Sequence, residues 1–86
     1  MIINAKIKYS FLGFDPQREL YIKIGFISEL EEYNIIGDVD KISSILNVLD
    51  LNQWEEVPRK YCRIKISDNG SVEALGNLIE NRWVTF

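Results

Sequence analysis

Basic and aromatic residues alternate with apolar residues in three stretches of the sequence. The stretches are IINAKIKYSF at residues 2–11, LYIKIGF at 20–26 and YCRIKIS at 61–67. Every second side chain of an extended chain points to the same face, so each stretch separates its bases from its apolar residues. Cations on such a face can contact phosphate while neighbouring rings stack on a base, which predicts an anionic-ligand face. The candidate residues, which include two bases in the turn before the third stretch, are Lys6, Lys8, Tyr21, Lys23, Arg59, Lys60, Tyr61, Arg63 and Lys65.

Acidic residues concentrate in the middle of the chain. Residues 29–56 hold eight acids and one base, a charge of −7, whereas the remaining residues hold five acids and nine bases, a charge of +4. An acidic helix with its flanking loops can occupy a basic groove on another protein, and opposite charge would speed the encounter. The candidate partner-binding residues are Glu29, Glu31, Glu32, Asp38, Asp40, Glu55 and Glu56.

Both charged sets also have a purely structural interpretation, which stays open at this point. Outward lysines keep sheet edges from pairing with other chains, and acids at the start of a helix interact favourably with its dipole. Trp54 and Trp83 are assigned to the core, because a tryptophan at the end of an element usually buries its ring in a small domain.

The sequence lacks the residue types on which most catalysis depends. It has no histidine, the side chain best suited to proton transfer near neutral pH. Its single cysteine, Cys62, cannot form an internal disulfide and is expected to be a small buried hydrophobe. Neither a glycine-rich phosphate loop nor a His/Cys zinc set is present. We therefore expect a non-enzymatic protein without a metal or cofactor.

Length and composition predict a single domain over residues 1–86. A chain of this size suits one hydrophobic core. No apolar run approaches the ~20 residues that a membrane span requires. The first residues, MIINAKIKYS, lack the basic and then apolar order of a signal peptide. We expect a cytoplasmic protein that does not enter a membrane.

Hydrophobic spacing predicts the elements that position the charged residues. Residues 2–11 and 20–26 are expected to form a hairpin across the turn cluster LGFDPQRE, with odd-numbered residues from Ile3 to Phe11 facing the core. YNII is a candidate third strand. The role of Tyr33–Gly37 stays open.

After Asp38 the spacing becomes helical. Apolar residues at i, i+3, i+4 and i+7 define one face of a helix, formed by Ile42, Ile45, Leu46 and Leu49. Asp38 is placed to cap the start of this helix, which should end near Asp50 or Leu51. The following NQWEEVP predicts a single turn that Pro58 stops.

Three more strands complete the predicted sheet. Residues 61–67 and 72–79 should pair across a two-residue Asn69-Gly70 turn, because both turn residues tolerate positive φ. RWVTF then returns as the last strand. The order β-β-(β)-α-β-β-β predicts an α+β fold, with a single antiparallel sheet of about five strands packed by one α-helix.

Three segments resemble a family of small uncharacterised proteins from phages, prophages and plasmids of low-GC Gram-positive bacteria. SFLGF (residues 10–14), WEEVPRKYCRI (54–64) and ALGNLIENRW (74–83) match, in order, the family's TFLG-like, W-E-D-L-x-G-K-Y-V-R-V and A-I-G-N-I-I-x-D-x-W-F segments. Arg59 replaces the glycine of the family's G-K-Y, and the middle segment is shorter. A ligand held by the family's central loop is therefore not carried over.

The resemblance implies a phage- or mobile-element-encoded protein that inhibits a bacterial anti-phage defence system, as anti-CRISPR proteins do. Such a protein blocks a component of the system, so its partner would be a host defence protein or complex. Two alternatives use the basic face instead. One is a sponge that sequesters a nucleotide immune messenger, with a homodimer completing the pocket, and the other is a nucleic-acid-binding accessory protein.

Overall fold

The protein forms one antiparallel β-sheet against which a single α-helix packs, as a computed structural model describes for residues 1–86. The elements in chain order are β1 (Ile2–Asp15), β2 (Glu19–Ser28), β3 (Glu31–Asp38), a 3-10 turn (Val39–Lys41), α1 (Ile42–Leu49), a second 3-10 turn (Trp54–Glu56), β4 (Tyr61–Ile66), β5 (Val72–Gly76) and β6 (Trp83–Thr85). Across the sheet the order is β3-β2-β1-β4-β5-β6, and every neighbouring pair is antiparallel. The α+β class and the single sheet are confirmed, with six strands where about five were expected.

The core lies between α1 and the face of the sheet that α1 covers. The sheet contributes fully buried side chains from four strands, namely Ile7, Ile22, Ile24, Phe26, Cys62, Ile64 and Leu75. From the helix, Ile45 and Val48 are buried, while Ile42, Leu46 and Leu49 pack at the margin. The predicted helical face is therefore present. Val48 also belongs to it, because Val48 is three residues after Ile45 and residues three apart lie on the same side of a helix.

The helix begins later than predicted. The residues after Asp38 first form the 3-10 turn, the regular helix starts only at Ile42, and the Asp38 side chain makes no capping hydrogen bond. At the other end, Asp50 takes the left-handed conformation with φ 58°, and the Leu51 N–H donates to the Leu46 carbonyl at 2.9 Å. This is a common way to satisfy the last carbonyls of a helix. None of the helices has the length and apolar character that crossing a membrane requires.

β1 changes the direction of its side chains in its middle. A β-bulge between Ile7 and Tyr9 leaves Lys8 without a partner on β2. The residues that follow have the opposite parity, so Phe11 pairs with Lys23, an outward position of β2. The prediction that Tyr9 and Phe11 face the core with Ile7 is therefore wrong, because alternation holds only until an extra residue interrupts the ladder.

β4 and β5 pair as predicted, but through a longer turn. The Ser67 N–H donates to the Ser71 carbonyl at 2.9 Å, and the Gly70 N–H donates to the Ser67 carbonyl at 3.0 Å. Gly70, with φ 87°, is the only turn residue with positive φ. The turn therefore belongs to the three-residue class, in which a glycine follows an ordinary turn, and not to the two-residue class. β5 ends at Gly76 and not at residue 79.

Local hydrogen bonds fix the link between α1 and β4. The Glu56 carboxylate caps the 3-10 turn by accepting from the Gln53 N–H at 3.0 Å, and the Glu56 N–H donates to the Gln53 carbonyl at 3.1 Å. Trp54 packs against the core as expected, although its side chain is only partly buried. Val57, which the hydrophobic spacing did not single out, is fully buried and anchors the end of this link.

Cys62 is expected to be unreactive in the folded protein. Its side chain is fully buried, and burial raises the pKa of the thiol to about 12, so little thiolate exists at neutral pH. A thiol reagent at neutral pH should label Cys62 only after a denaturant has unfolded the chain. Rapid labelling of the native protein would contradict this burial.

Candidate ligand-binding face

The face of the sheet that α1 leaves uncovered, which we name the outer face, collects many of the predicted basic residues. Cross-strand partners in an antiparallel sheet lie side by side on one face, so the register gives their arrangement. The outer-face rows are Ile2-Lys65-Ala74-Thr85, Asn4-Arg63-Gly76-Trp83, Ile27-Lys6-Tyr61, Tyr9-Gly25-Asn34, Phe11-Lys23-Ile36 and Gly13-Tyr21-Asp38. These rows bring together Lys6, Tyr21, Lys23, Tyr61, Arg63 and Lys65.

Three aromatic rings lie flat on the outer face because each is opposite a glycine. The pairs are Tyr9 on Gly25, Tyr21 on Gly13 and Trp83 on Gly76. A Cβ at position 25 would lie 2.2 Å from the Tyr9 ring, and at the other two glycines the distances would be 2.5 and 2.6 Å. The rings therefore occupy the space that a side chain would fill. Each ring thus covers the backbone at its glycine, and the Arg63 guanidinium lies over the Trp83 ring.

Cations lie beside the rings. The Lys6 Nζ is 5.5 Å from the centroid of the Tyr61 ring, the Lys23 Nζ is 5.9 Å from that of Phe11, and the Arg63 guanidinium is 4.9 Å from that of Trp83. These distances are within the range of cation–π attraction. The Tyr9 and Phe11 rings also stack on each other, with centroids 5.9 Å apart and planes at 18°. Rings and charges are thus held within reach of one ligand.

Between the row of Ile2 and the row of Tyr21, the central strands of the outer face carry bases and no acids. Four bases occupy outward positions of β1, β2 and β4 in these rows, namely Lys6, Lys23, Arg63 and Lys65. A fifth base, Lys8, lies at the bulge of β1. Lys8 forms an ion pair with Glu32, whose carboxylate raises the pKa of Lys8. The acids of this face are Glu32 and Asp38 on β3, Glu73 on β5, and the pair Asp15 and Glu19 at the hairpin end of β1 and β2. The result is a basic band between two acidic margins.

Arg63 is held more firmly than the other bases of the band. Its Nε donates to the Asn77 carbonyl and its Nη2 donates to the Glu80 carbonyl, each at 2.8 Å. Together with the contact to Trp83, these bonds tie β4 to the loop between β5 and β6. Lys65 lies on the same face of β4, but its side chain is exposed and makes no hydrogen bond.

Arg63→Ala is expected to cost about 1–3 kcal/mol of stability, because two hydrogen bonds from a charged donor are lost and the loop loses its anchor. The matched control, Lys65→Ala, should stay within about 0.5 kcal/mol of the unmodified protein, as surface substitutions usually do. Urea unfolding of both variants gives the comparison. Equal stabilities would show that the loop does not depend on Arg63.

Arg59 and Lys60 lie beside β1 and outside the outer-face rows. The Arg59 N–H donates to the Ile7 carbonyl at 2.7 Å, and the Lys60 carbonyl accepts from the Ile7 N–H at 2.8 Å. Arg59 has a positive φ of 76°, and both side chains are exposed. The two residues extend the β4 edge irregularly, and their part in binding an anionic ligand stays a prediction.

The predicted acidic residues do not gather on one surface. They divide into Glu29, Glu31 and Glu32 at the β2–β3 turn, Asp38 and Asp40 at the far end of β3, and Glu55 and Glu56 in the turn after α1. The seven steps from residue 31 to residue 38 separate the first two groups by roughly 23 Å, at ~3.3 Å per residue. In the third group, the Glu56 carboxylate already accepts a hydrogen bond from the Gln53 N–H at 3.0 Å. Proximity in sequence therefore does not produce a single acidic patch.

Three aromatic residues of the outer face were not predicted to lie there. Tyr9 and Phe11 lie on the outer face only because of the bulge, and the hydrophobic pattern of the sequence does not indicate a bulge. Trp83 was assigned to the core, but it is half-buried on the outer face, and its Nε1 donates to the Asn81 side chain at 3.0 Å. One signal was available in the sequence, since a glycine inside a strand, such as Gly25, often marks the close approach of another group.

Gly25→Ala is expected to push the Tyr9 ring off the sheet and to cost about 1–2 kcal/mol, because the added methyl overlaps the ring. Gly37→Ala on β3 is the matched control. A Cβ there would have its nearest neighbour at 3.7 Å, an ordinary contact, so stability should change by no more than about 0.5–1 kcal/mol and in the favourable direction. Urea unfolding measures both variants, and equal costs would contradict the placement of the ring.

The largest concavity has a volume of about 710 Å³ and opens beside β1 near the amino terminus. Lys6 and Tyr61 line one part of it, while Glu29 and Glu31 line another. The Tyr33 hydroxyl donates to Glu31 at 2.9 Å within the same wall. The volume suits a small molecule, but two carboxylates oppose the phosphate of a nucleotide.

Comparisons with known proteins give no relative from which a site could be transferred. No protein-family model, no curated protein and no solved structure matches the chain. The resemblance to phage and plasmid proteins stays a prediction, as does the anti-defence role that it implies.

Proposed function

We propose that the protein is a non-enzymatic binding protein that holds single-stranded nucleic acid on its outer face. The observation that supports this proposal is the band of bases and rings on β1, β2 and β4, which no acid interrupts between the row of Ile2 and the row of Tyr21. In such a band the cations contact phosphates and the rings stack on bases, without a requirement for a particular sequence. The nucleic-acid interpretation of the basic face is thereby favoured over the nucleotide sponge.

The exposed rings of the outer face favour single strands over duplexes. Tyr61 is 61% exposed and Phe11 is 42% exposed, and only unpaired bases can stack on such rings. Successive outward residues of a strand are about 6.6 Å apart, twice the ~3.4 Å between stacked bases of one strand in a duplex. A nucleic-acid strand bound along β1 would therefore be extended, with its bases separated and placed on different rings.

The acidic margins set the path of the bound strand. Phosphates are attracted to the central bases and repelled by the acids on β3 and β5, so the favourable track follows the central strands. Since the whole chain carries −3, no general positive charge supplements this track. Binding should therefore be modest in strength and should depend strongly on salt.

Fluorescence anisotropy with a labelled oligonucleotide of about 12 nucleotides tests the proposal, since this length lies within the usual range of single-stranded sites. We expect binding to a single strand at low salt, weaker binding to a hairpin duplex of the same composition, and an affinity that falls as salt is raised. No binding to any single strand at about 50 mM salt, where electrostatic contacts are strong, would contradict the proposal.

A second candidate function is the blocking of a protein component of an anti-phage defence system. The observation that favours it is the β2–β3 turn, where Leu30 has 97% of its surface exposed between Glu29 and Glu31. An exposed leucine among acids fits an apolar pocket with a basic rim on another protein. We propose this turn, and not the whole predicted acidic set, as the contact. Leu30→Asp should then abolish protection of a phage in a host that carries the targeted system, whereas Leu78→Asp, in the exposed loop before β6, should not.

A further inference from the structure

The second half of β1 has a free edge. β4 pairs with β1 only from Ile2 to Lys6, and the turn before β4 bonds to Ile7. Residues 9–14 pair with β2 on one side, and none of their backbone groups has any other hydrogen-bond partner in the protein. One row of N–H and C=O groups is therefore left unpaired along this segment.

The free edge lacks the protection that sheet edges usually have. Natural edges carry charges or proline, or are very short. Residues 9–14, YSFLGF, contain neither a charge nor a proline, and 42% of Phe11, 50% of Leu12 and 69% of Phe14 are exposed. The two outermost strands differ, because β3 carries several acids and β6 has only three residues. The β1 edge is thus the site on this sheet that is suited to strand pairing.

We propose that this edge pairs with the same edge of a second copy of the chain, in antiparallel orientation about a two-fold axis near Leu12. Charge complementarity favours the second copy as occupant. The edge strand has Lys8 before its uncharged part and Asp15 after it, so antiparallel pairing places the base of each copy, which also contacts its own Glu32, near the acid of the other. The central residues meet without charge, and the leucines face each other across the axis.

The exposed area indicates the strength of the dimer. Phe11 and Phe14 together expose roughly 200 Å², since an aromatic side chain buries about 150–250 Å² when it is covered completely. A standard interface buries about 800 Å² on each partner. The leucines and the backbone edge add to the contact, but the total stays below this standard. The dimer therefore forms reversibly in a concentration-dependent equilibrium.

Pairing would join the two sheets into one of twelve strands, twice the six of a single chain. Edge pairing keeps the outer faces on the same side, so Phe11 and Tyr9 of both copies would lie near the axis. The dimer does not depend on nucleic acid, because its contacts are backbone groups and apolar side chains.

Sedimentation equilibrium of the full chain from about 1 µM to about 1 mM, the range of weak protein association, tests the dimer. We expect the mass to rise from 10.0 kDa towards twice that value. Leu12→Lys should stay monomeric, and the control Leu30→Lys, at the far more exposed leucine, should still dimerise. If near-ultraviolet circular dichroism shows that Leu12→Lys is unfolded, Phe14→Lys at the exposed end of the edge replaces it. A monomer at every concentration, or a dimer that survives the edge substitution, would overturn the proposal.

Disulfide cross-linking provides a second readout under mild oxidation. Because Cys62 is buried, a cysteine introduced as Leu12→Cys is the only accessible thiol of that variant. Leu12→Cys should form a covalent dimer at least about 10-fold faster than Leu30→Cys, since facing residues of paired strands lie ~5 Å apart. Equal or faster cross-linking of Leu30→Cys would refute pairing at this edge.

Discussion

Reversal of two charges on the outer face, as Lys6→Glu combined with Lys23→Glu, is expected to weaken the binding of single-stranded DNA by about 100-fold. Each lysine lies beside a ring, so in the proposed complex each contacts a phosphate next to a stacked base. A hydrogen bond from a charged group contributes about 1.5–3 kcal/mol, and the loss of two at the lower end of this range, about 3 kcal/mol, corresponds to roughly 100-fold in affinity. The dependence of affinity on salt should also become shallower, because fewer counterions are released.

The matched control is Arg18→Glu combined with Lys41→Glu, which changes the net charge of the chain by the same amount. Arg18 lies in the turn between β1 and β2, and Lys41 lies in the 3-10 turn after β3, both outside the outer-face rows. The control should lose no more than about 3-fold, the long-range effect of charge at moderate salt. If both double variants lose affinity equally, binding depends on net charge and the outer face has no special part in it.

Phe26→Ala is expected to cost about 3–5 kcal/mol of stability, as truncations of large buried aromatic residues do. Phe26 is the largest fully buried side chain and lies on β2 at the centre of the core. At about 0.05–0.15 kcal/mol per residue, a chain of 86 residues has roughly 4–13 kcal/mol in total, so the variant should be close to unfolding. The midpoint of urea unfolding measures the loss.

Phe14→Ala provides the control for this core truncation. The change in chemistry is identical, but Phe14 is 69% exposed at the end of the β1–β2 hairpin. At protein concentrations too low for dimerisation, Phe14→Ala should change stability by no more than about 0.5 kcal/mol. Similar losses in the two variants would mean that the core is not centred on β2.

The sequence predicted best those elements in which one strong pattern extends over the whole element. β2 and β4 alternate without interruption, so the outward positions of Tyr21, Lys23, Tyr61, Arg63 and Lys65 followed from parity alone. The period of the helix likewise gave its core-facing side. In these elements, local periodicity and burial in the folded protein agree.

Features that depend on contacts between distant segments could not be predicted. The bulge at Lys8 arises where β1 stops pairing with β4 and continues to pair with β2 alone. The sequence of β1 contains no signal of that change. The spread of the acidic set has the same origin, since β3 carries Asp38 away from Glu29 across the length of the sheet. Proximity in sequence is therefore a poor guide to a surface that strands build.

The two tryptophans provide the most direct test of the proposed binding face, because they lie on opposite sides of the sheet. Trp83 lies on the outer face beside Arg63, whereas Trp54 packs against the core on the covered side. Their indole N–H signals can be followed in one ¹⁵N-resolved NMR titration with a single-stranded oligonucleotide. We predict that the Trp83 signal shifts progressively and saturates, while the Trp54 signal stays in place. A shift of Trp54 alone, or no shift of either signal at saturating oligonucleotide, would contradict the outer face as the binding site.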